Sequence, residues 1–231
     1  MLVAAAVCPC PPLLVPDVAS GAAPELDPLR AACADALAVL AAARPDLLVV
    51  VGAGESAHVW EGGGTGTLRP YGVNLTMRLG DGRDPEPLAP SLTVAAWLLE
   101  EARSAAPLHA CAVPAHAPAA RMLELGRGLA ELADRVALLV MGDGSICRTV
   151  KAPGYLDERA EPFDASVARA LGAADAGALA ALDADLAAEL GAAGRAPWQV
   201  LAGAAEDAGL GGELLYDEAP LGVGYFVAAW S

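Results

Sequence analysis

The chain has 231 residues, of which 55% are hydrophobic and only 4% aromatic, and its formal net charge at pH 7 is −15. This negative charge opposes the phosphates of nucleic acids and of anionic membranes, so we expect neither as a partner. With so few aromatic residues, small aliphatic side chains must fill the core, which favours helices packed closely on a sheet. The length suits one large domain, and we expect it to cover residues 1–231.

The N-terminal segment Leu2 to Val7 is apolar but too short to span a bilayer, and it lacks the basic flank of a signal peptide. We therefore interpret it as a buried strand. The five cysteines are odd in number and irregularly spaced, which does not suggest a disulfide framework. Together these features predict a cytoplasmic protein with reduced thiols.

The first fifty residues have the pattern of a strand, a helix and a second strand. A helix is predicted from Asp27 to Ala43, with Asp27 as the N-cap and Pro28 at the first helical position. The apolar run Leu47 to Val51 follows it directly and reads as a second buried strand. This arrangement predicts parallel pairing of the two strands with a right-handed crossover.

The rest of the chain continues the alternation of helices and strands. Residues 52–90 are rich in Gly and Pro and are predicted to be irregular, apart from a short strand at 73–77. The segment 198–205 reads as helix or strand. We predict an α/β single domain with a mostly parallel central sheet flanked by helices. The other predicted helices cover 91–105, 117–133, 165–172 and 176–193, and the other predicted strands cover 108–113, 136–141, 213–216 and 224–229.

Short motifs at the strand ends follow one another in a distinctive order. Cys8-Pro-Cys-Pro-Pro12 ends the first strand, Arg44-Pro-Asp46 precedes the second, and Met141-Gly-Asp-Gly-Ser145 ends the strand at 136–141. Pro197-Trp-Gln199 and Gly222-Val-Gly-Tyr225 come near the C-terminus. In order and spacing these motifs resemble the class III extradiol ring-cleavage dioxygenase family, subunit-B type. The resemblance covers nearly the whole chain and implies the fold of that subunit.

The resemblance also implies a non-haem ferrous ion held by two His and a carboxylate, with a separate acid–base His beside the substrate. It places the first ligand at Cys10, the second near Gly54, a late ligand at or before 191–197, and the acid–base His near Ile146 or Cys147. None of these positions holds a His. The four departures argue against standard iron-dependent ring cleavage.

Other side chains after the predicted strands could form a rearranged site, because ligands bind at the carboxyl ends of parallel strands. A set containing a thiol would favour zinc over the ferrous iron that the resemblance implies. No nucleotide cofactor is expected, since Gly62 to Gly66 lacks the Lys of a phosphate-binding loop. The candidate metal ligands are Cys10, Glu55 and His58, and the candidate catalytic residues are Asp143, Cys147 and His58.

Each candidate also has a structural interpretation. Cys10 and Cys147 could pair as redox or metal-binding thiols, or could simply be packed. His58 with Glu55 could be a ligand or acid–base pair, or His58 could lie on a surface loop. Asp143 could contact substrate or cap its turn.

Two functions fit these observations. The first is a dioxygenase-like oxidoreductase of aromatic compound metabolism, acting on a small aromatic molecule with an altered metal site. The second is a non-catalytic binding or assembly protein that retains the fold. A homo- or hetero-oligomer is expected in either case, because the resemblance implies pairing with a partner subunit.

Overall fold

A seven-stranded mixed sheet forms the centre of the computed structural model, which describes residues 1–102 and 107–231. The strands of the described residues are β1 (Leu2–Cys8), β2 (Leu47–Gly54), β3 (His58–Glu61), β4 (Gly63–Thr67), β5 (Thr76–Gly80), β6 (Leu108–Pro114), β7 (Val136–Met141), β8 (Gly212–Glu218) and β9 (Tyr225–Trp230). Their order across the sheet is β3-β6-β2-β7-β1-β9-β8, while β4 and β5 pair with each other as a separate ribbon.

The four central strands, β6, β2, β7 and β1, are parallel to one another. Each strand outside this set is antiparallel to its inner neighbour. The core of this set is apolar on both faces, as expected where helices cover both sides of a parallel sheet. The register places His58, Ala112, Gly52, Met141 and Cys8 in one row across five strands. The carboxyl ends of the parallel strands therefore lie at one edge of the sheet.

Helices cover both faces of the sheet. One face packs against α1 (Pro16–Ala19), α2 (Asp27–Ala42) and α3 (Pro90–Glu101). The other face packs against α4 (Ala119–Ala130), α5 (Ala160–Gly172), α6 (Ala176–Ala180), α7 (Ala184–Glu189) and α8 (Arg195–Ala204). Within the described ranges, no helix is long and apolar enough to cross a bilayer.

The α/β architecture is confirmed. The first two predicted strands are parallel, but the prediction that they pair with each other was wrong, because β7 lies between β1 and β2 and pairs with both. The prediction that the rest of 52–90 is irregular was wrong, because this segment contains β3 and β4 as well as β5, which overlaps the short strand predicted at 73–77. The glycines there hide the strand pattern. A Cβ at Gly66 would lie 2.0 Å from Thr93 Oγ1, so a side chain is excluded where the ribbon packs on α3.

Two helix predictions also needed correction. The segment 176–193 is not one helix, because Asp183 accepts hydrogen bonds from the backbone N–H groups of Asp185 and Leu186 and starts α7 anew. Asp27 is not an N-cap, since a 3₁₀ segment (Ser20–Leu26) leads directly into α2. Its carboxylate instead pairs with Arg30 at 2.5 Å. The predicted end of the helix at 91–105 lies partly outside the described residues.

The contact between α4 and α8 depends on a buried glycine. A Cβ at Gly126 would lie 2.0 Å from the carbonyl oxygen of Val200, whereas a Cβ at Gly128 would meet nothing within 4 Å. We expect Gly126→Ala to lower the free energy of unfolding by at least about 2 kcal/mol, because α4 and α8 must separate. Gly128→Ala should raise it by about 0.5–1 kcal/mol through helix propensity. Urea unfolding monitored by circular dichroism measures both, and equal effects would contradict the packing described.

Candidate functional site

Cys10 and Asp143 meet just beyond the carboxyl ends of β1 and β7. The register pairs Cys8 with Met141, the last residues of the two strands, and each candidate follows its strand by two residues. The backbone N–H of Cys10 donates a hydrogen bond to Asp143 Oδ1 at 2.8 Å. Both residues are half-buried, and Cys10 packs against the α2–α3 side of the sheet. The structure thus brings these two sequence-predicted candidates together.

The pair has unusual electrostatics for a carboxyl group and a thiol. Burial raises the pKa of Asp143 to about 6, although hydrogen bonds from Cys10 oppose this effect. Burial also raises the pKa of the Cys10 thiol well above its usual value, and the Asp143 charge adds to the rise. At neutral pH the thiol is therefore protonated beside a carboxylate. A carboxyl group with a pKa near 6 can accept or donate a proton close to neutral pH.

Tyr225 lies at the same edge of the sheet as this pair. The sequence analysis placed it in a closing strand and in a C-terminal motif, but not among the candidate site residues. Strand β9 runs antiparallel beside β1, so its first residue lies at the edge where β1 ends. Burial raises the pKa of the Tyr225 phenol, and the negative charge of Asp143 adds to the rise. We call Cys10, Asp143 and Tyr225 the strand-end cluster. Tyr225 could have been predicted from an antiparallel last strand, because the first residue of such a strand lies at the carboxyl ends of the parallel strands.

Cys147 lies on the opposite face of the sheet from Cys10. It is buried within the α4–α8 side, and its thiol donates to the carbonyl oxygens of Gly154 and Leu190, each at 3.6 Å. Burial raises the pKa of this thiol as well. All five cysteines are free thiols. The structure therefore does not bring Cys147 to Cys10, and it gives Cys147 the contacts of a packing residue.

His58 and Glu55 are also separated from the strand-end cluster. His58 lies on β3, four strands from β1, which corresponds to about 19 Å across the sheet. Its Nε2 is 3.1 Å from Asp84 Oδ2, and its ring makes an edge contact with Trp60 at 4.4 Å. Glu55 is exposed. The carboxylate that contacts His58 is that of Asp84, which the sequence analysis did not name. The backbone N–H of Glu86 and then His58 lower the pKa of Asp84.

The residues at the expected iron positions do not fit a site of two His and one carboxylate. Among the described residues, no group of three or more His, Cys, Asp and Glu is placed to hold a metal ion. A Cβ at Gly54 would lie 2.8 Å from the Cβ of Ala112, so a ligating side chain there requires its surroundings to move. In the late segment, a Cβ at Gly191 would lie 2.6 Å from Ile146, and one at Gly194 would lie 2.2 Å from Trp198.

A fully buried carboxylate, Asp164 of α5, holds the loop that carries Asp143. It accepts hydrogen bonds from the backbone N–H of Ser145 at 2.9 Å and from its hydroxyl at 2.7 Å. Arg148 donates to the same carboxylate at 3.2 Å. A Cβ at Gly144 would lie 2.9 Å from Asp164 Oδ1, so the loop approaches this side chain as backbone. Asp164 therefore fixes the backbone of the loop that places Asp143 at the strand ends.

A buried arginine holds the exit of β6. Arg195, in the first turn of α8, donates to the carbonyl oxygen of Ala117 at 2.6 Å and to that of Ala115. It also donates to Gln199 Oε1 at 2.8 Å. The segment in which the family resemblance implies a late iron ligand thus supplies packing and hydrogen bonds to neighbouring turns.

Comparison with known proteins supports the α/β fold and gives no information on activity. No family model and no curated protein matches the chain. Among solved structures, the uncharacterized protein JW3007 from Escherichia coli K12 is similar to it over 99% of both chains, with a TM-score of 0.55 and 16% sequence identity. At this identity the similarity shows a shared fold alone.

Proposed function

We propose that the chain is a class III extradiol dioxygenase-like protein that has lost iron-dependent ring cleavage. In this proposal the strand-end cluster binds a small hydroxylated aromatic molecule without oxidising it. The observation that carries the proposal is the donor set at the strand ends. Cys10 and Asp143 are a thiol and a carboxylate, and a Cβ at Gly54, Gly191 or Gly194, where the resemblance implies further ligands, would clash with neighbouring side chains.

The cluster suits a phenolic hydroxyl group. The Asp143 carboxylate can accept a hydrogen bond from such a hydroxyl, and the Cys10 thiol and the Tyr225 phenol can donate to its oxygen. The raised pKa of Asp143 makes its ionisation sensitive to pH near 6, so ligand binding should share that sensitivity. This arrangement supports recognition of a polar group on an otherwise apolar ring.

Oxygen uptake and ligand binding test the two halves of the proposal. Protein supplied anaerobically with ferrous iron and then given oxygen and a panel of catechols should consume no oxygen above the buffer rate. Catechol binding, followed by NMR of the protein, should be saturable and about tenfold weaker in Asp143→Asn, which removes a charge-assisted hydrogen bond. Asp157→Asn, a change of the same kind away from the cluster, should bind like the unmodified chain.

Different results separate the alternatives. Catechol-dependent oxygen uptake that requires iron would overturn the loss of ring cleavage. Absence of catechol binding, or equal binding by Asp143→Asn, would overturn the assigned ligand and favour a protein whose fold serves assembly alone.

A further inference from the structure

The loop at residues 148–156 presents three large apolar side chains to solvent. Val150, Tyr155 and Leu156 are 58%, 65% and 48% exposed. Single exposed apolar residues are common on globular proteins, whereas a group of them marks a surface that binds another protein. These three lie within seven residues of one another in a single loop. We call residues 148–156 the apolar loop.

The backbone of the apolar loop is fixed by the turn beneath it. The N–H of Gly154 donates to the carbonyl oxygen of Ile146 at 2.9 Å, and a Cβ at Gly154 would lie 2.5 Å from Cys147 Sγ. Tyr155 is held in a left-handed conformation, with φ 62°, which is unfavourable for a residue other than Gly. Strain of this kind in an ordered loop points to a function for the side chain that it presents.

Charges of both signs border the apolar side chains. The loop contains Arg148 and Lys151, which is the only lysine of the chain, and no acidic residue. The N–H of Arg148 donates to the carbonyl oxygen of Gly222 at 3.0 Å, which joins the loop to the turn after β8. Strand β8 ends in Asp217 and Glu218, and both are exposed. Burial raises the pKa of Asp217, and the positive charge of the neighbouring Arg148 opposes this rise.

A surface with both signs of charge beside apolar residues is complementary to a second copy of itself. In a dimer with two-fold symmetry the same surface of both chains meets, and each contact occurs twice. The basic part of one copy then faces the acidic part of the other. Elsewhere the net charge of −15 makes two copies repel each other, so self-association requires such a local match. An acidic partner of different sequence would match the basic part but repel Asp217 and Glu218.

We propose that the chain forms a two-fold homodimer through the apolar loop, with Tyr155 at the centre and Lys151 facing Asp217 and Glu218 of the second copy. The proposal is independent of the ligand proposed for the strand-end cluster, because the two surfaces share no residue. Aromatic side chains near the centre of an interface carry a large part of the binding energy. The dimer should therefore depend on Tyr155 more than on any other single side chain.

Sedimentation velocity over a range of protein concentrations tests the dimer. The unmodified chain, of 23.1 kDa, should sediment as a species of twice that mass. Tyr155→Asn should weaken dimerisation about hundredfold, because it removes the central aromatic ring. Asparagine tolerates the left-handed conformation, so this variant should keep its fold. Tyr71→Asn, at another exposed tyrosine, is the matched control and should dimerise like the unmodified chain.

Charge reversal tests the two-fold arrangement. Lys151→Glu should weaken dimerisation about tenfold, and so should the double variant Asp217→Lys with Glu218→Lys, because each places like charges opposite each other. Mixed in equal amounts, the two proteins should form a heterodimer as tight as the unmodified dimer, since every charged contact again joins opposite signs. Arg121→Glu, at an exposed position on α4, is the control and should have no effect.

Each contrary outcome overturns a different part of the proposal. An unmodified chain that sediments as a monomer at every concentration would overturn the homodimer and favour a partner of different sequence. A dimer that Tyr155→Asn leaves intact would overturn the place of the interface. Charge-reversed variants that do not associate when mixed would overturn the two-fold contact. Asp143→Asn should dimerise like the unmodified chain, so failure of the ligand proposal would leave this one standing.

Discussion

Replacing Asp164 with alanine is expected to lower the free energy of unfolding by about 3–5 kcal/mol, the largest effect that we predict. The change would leave the buried N–H and hydroxyl of Ser145 without their acceptor and Arg148 without its ion pair. Buried donors that lose their partner keep the full cost of leaving water. Urea unfolding at pH 7 measures the loss.

Asp157→Ala is the matched control for this experiment. Asp157 also pairs with an arginine, Arg159, but both side chains are partly exposed, and solvent screens their attraction. We expect a much smaller loss of stability for this variant. Equal losses for Asp164→Ala and Asp157→Ala would show that Asp164 does not anchor the loop as described.

Asp143→Asn is expected to stabilise the protein, and the gain should grow with pH. Burial raises the folded-state pKa of Asp143 to about 6 from an ordinary value of 3.8. The folded state therefore holds this proton more tightly than the unfolded state, so the carboxyl group costs stability as the pH rises from about 4 through 6. Asparagine removes that cost and keeps an oxygen that can accept from the Cys10 N–H.

The expected gain is about 2–3 kcal/mol above pH 7, smaller at pH 5, and level beyond about pH 7. Urea unfolding of both proteins from pH 5 to 8 measures it. Asp157→Asn should show no such growing gain, because hydrogen bonds from Arg159 lower the pKa of that carboxyl. A stability difference between the unmodified chain and Asp143→Asn that does not change with pH would contradict the raised pKa of this half-buried carboxyl group.

The central strands could be predicted because their sequences carry the signal directly. Strands β1, β2 and β7 consist mainly of Ala, Val and Leu, as expected for strands that are buried on both faces. Strand β4 could not be predicted, since its sequence Gly63-Gly-Thr-Gly-Thr67 has no apolar alternation. Its conformation depends on pairing with β5 and on packing against Trp60 and α3.

Only part of the site could be predicted in the same way. Cys10 and Asp143 each follow a predicted strand, so both were expected at the carboxyl-end edge of the sheet, and they meet there because β1 and β7 are neighbours. Strand order and face decide the other candidates. His58 lies on the far side of β6 and β2, and Cys147 lies beneath the other face of the sheet. Neither position can be read from residue spacing.

The role of Asp164 could not be predicted from the sequence for a related reason. Asp164 stands immediately before the helix predicted at 165–172. Only the tertiary fold places its carboxylate against Gly144 and Gly224, which lie in two separate loops. Its partners, Ser145 and Arg148, lie 19 and 16 residues earlier in the chain.

Anaerobic titration with ferrous iron tests the central claim most directly, because ring cleavage in the family that the chain resembles requires that ion. We predict less than about 0.1 equivalent of tightly bound iron after gel filtration, since a thiol and one carboxylate are a poor donor set for it. One equivalent of iron that is lost in both Cys10→Ser and Asp143→Asn would contradict the claim and place a working metal site at the strand ends.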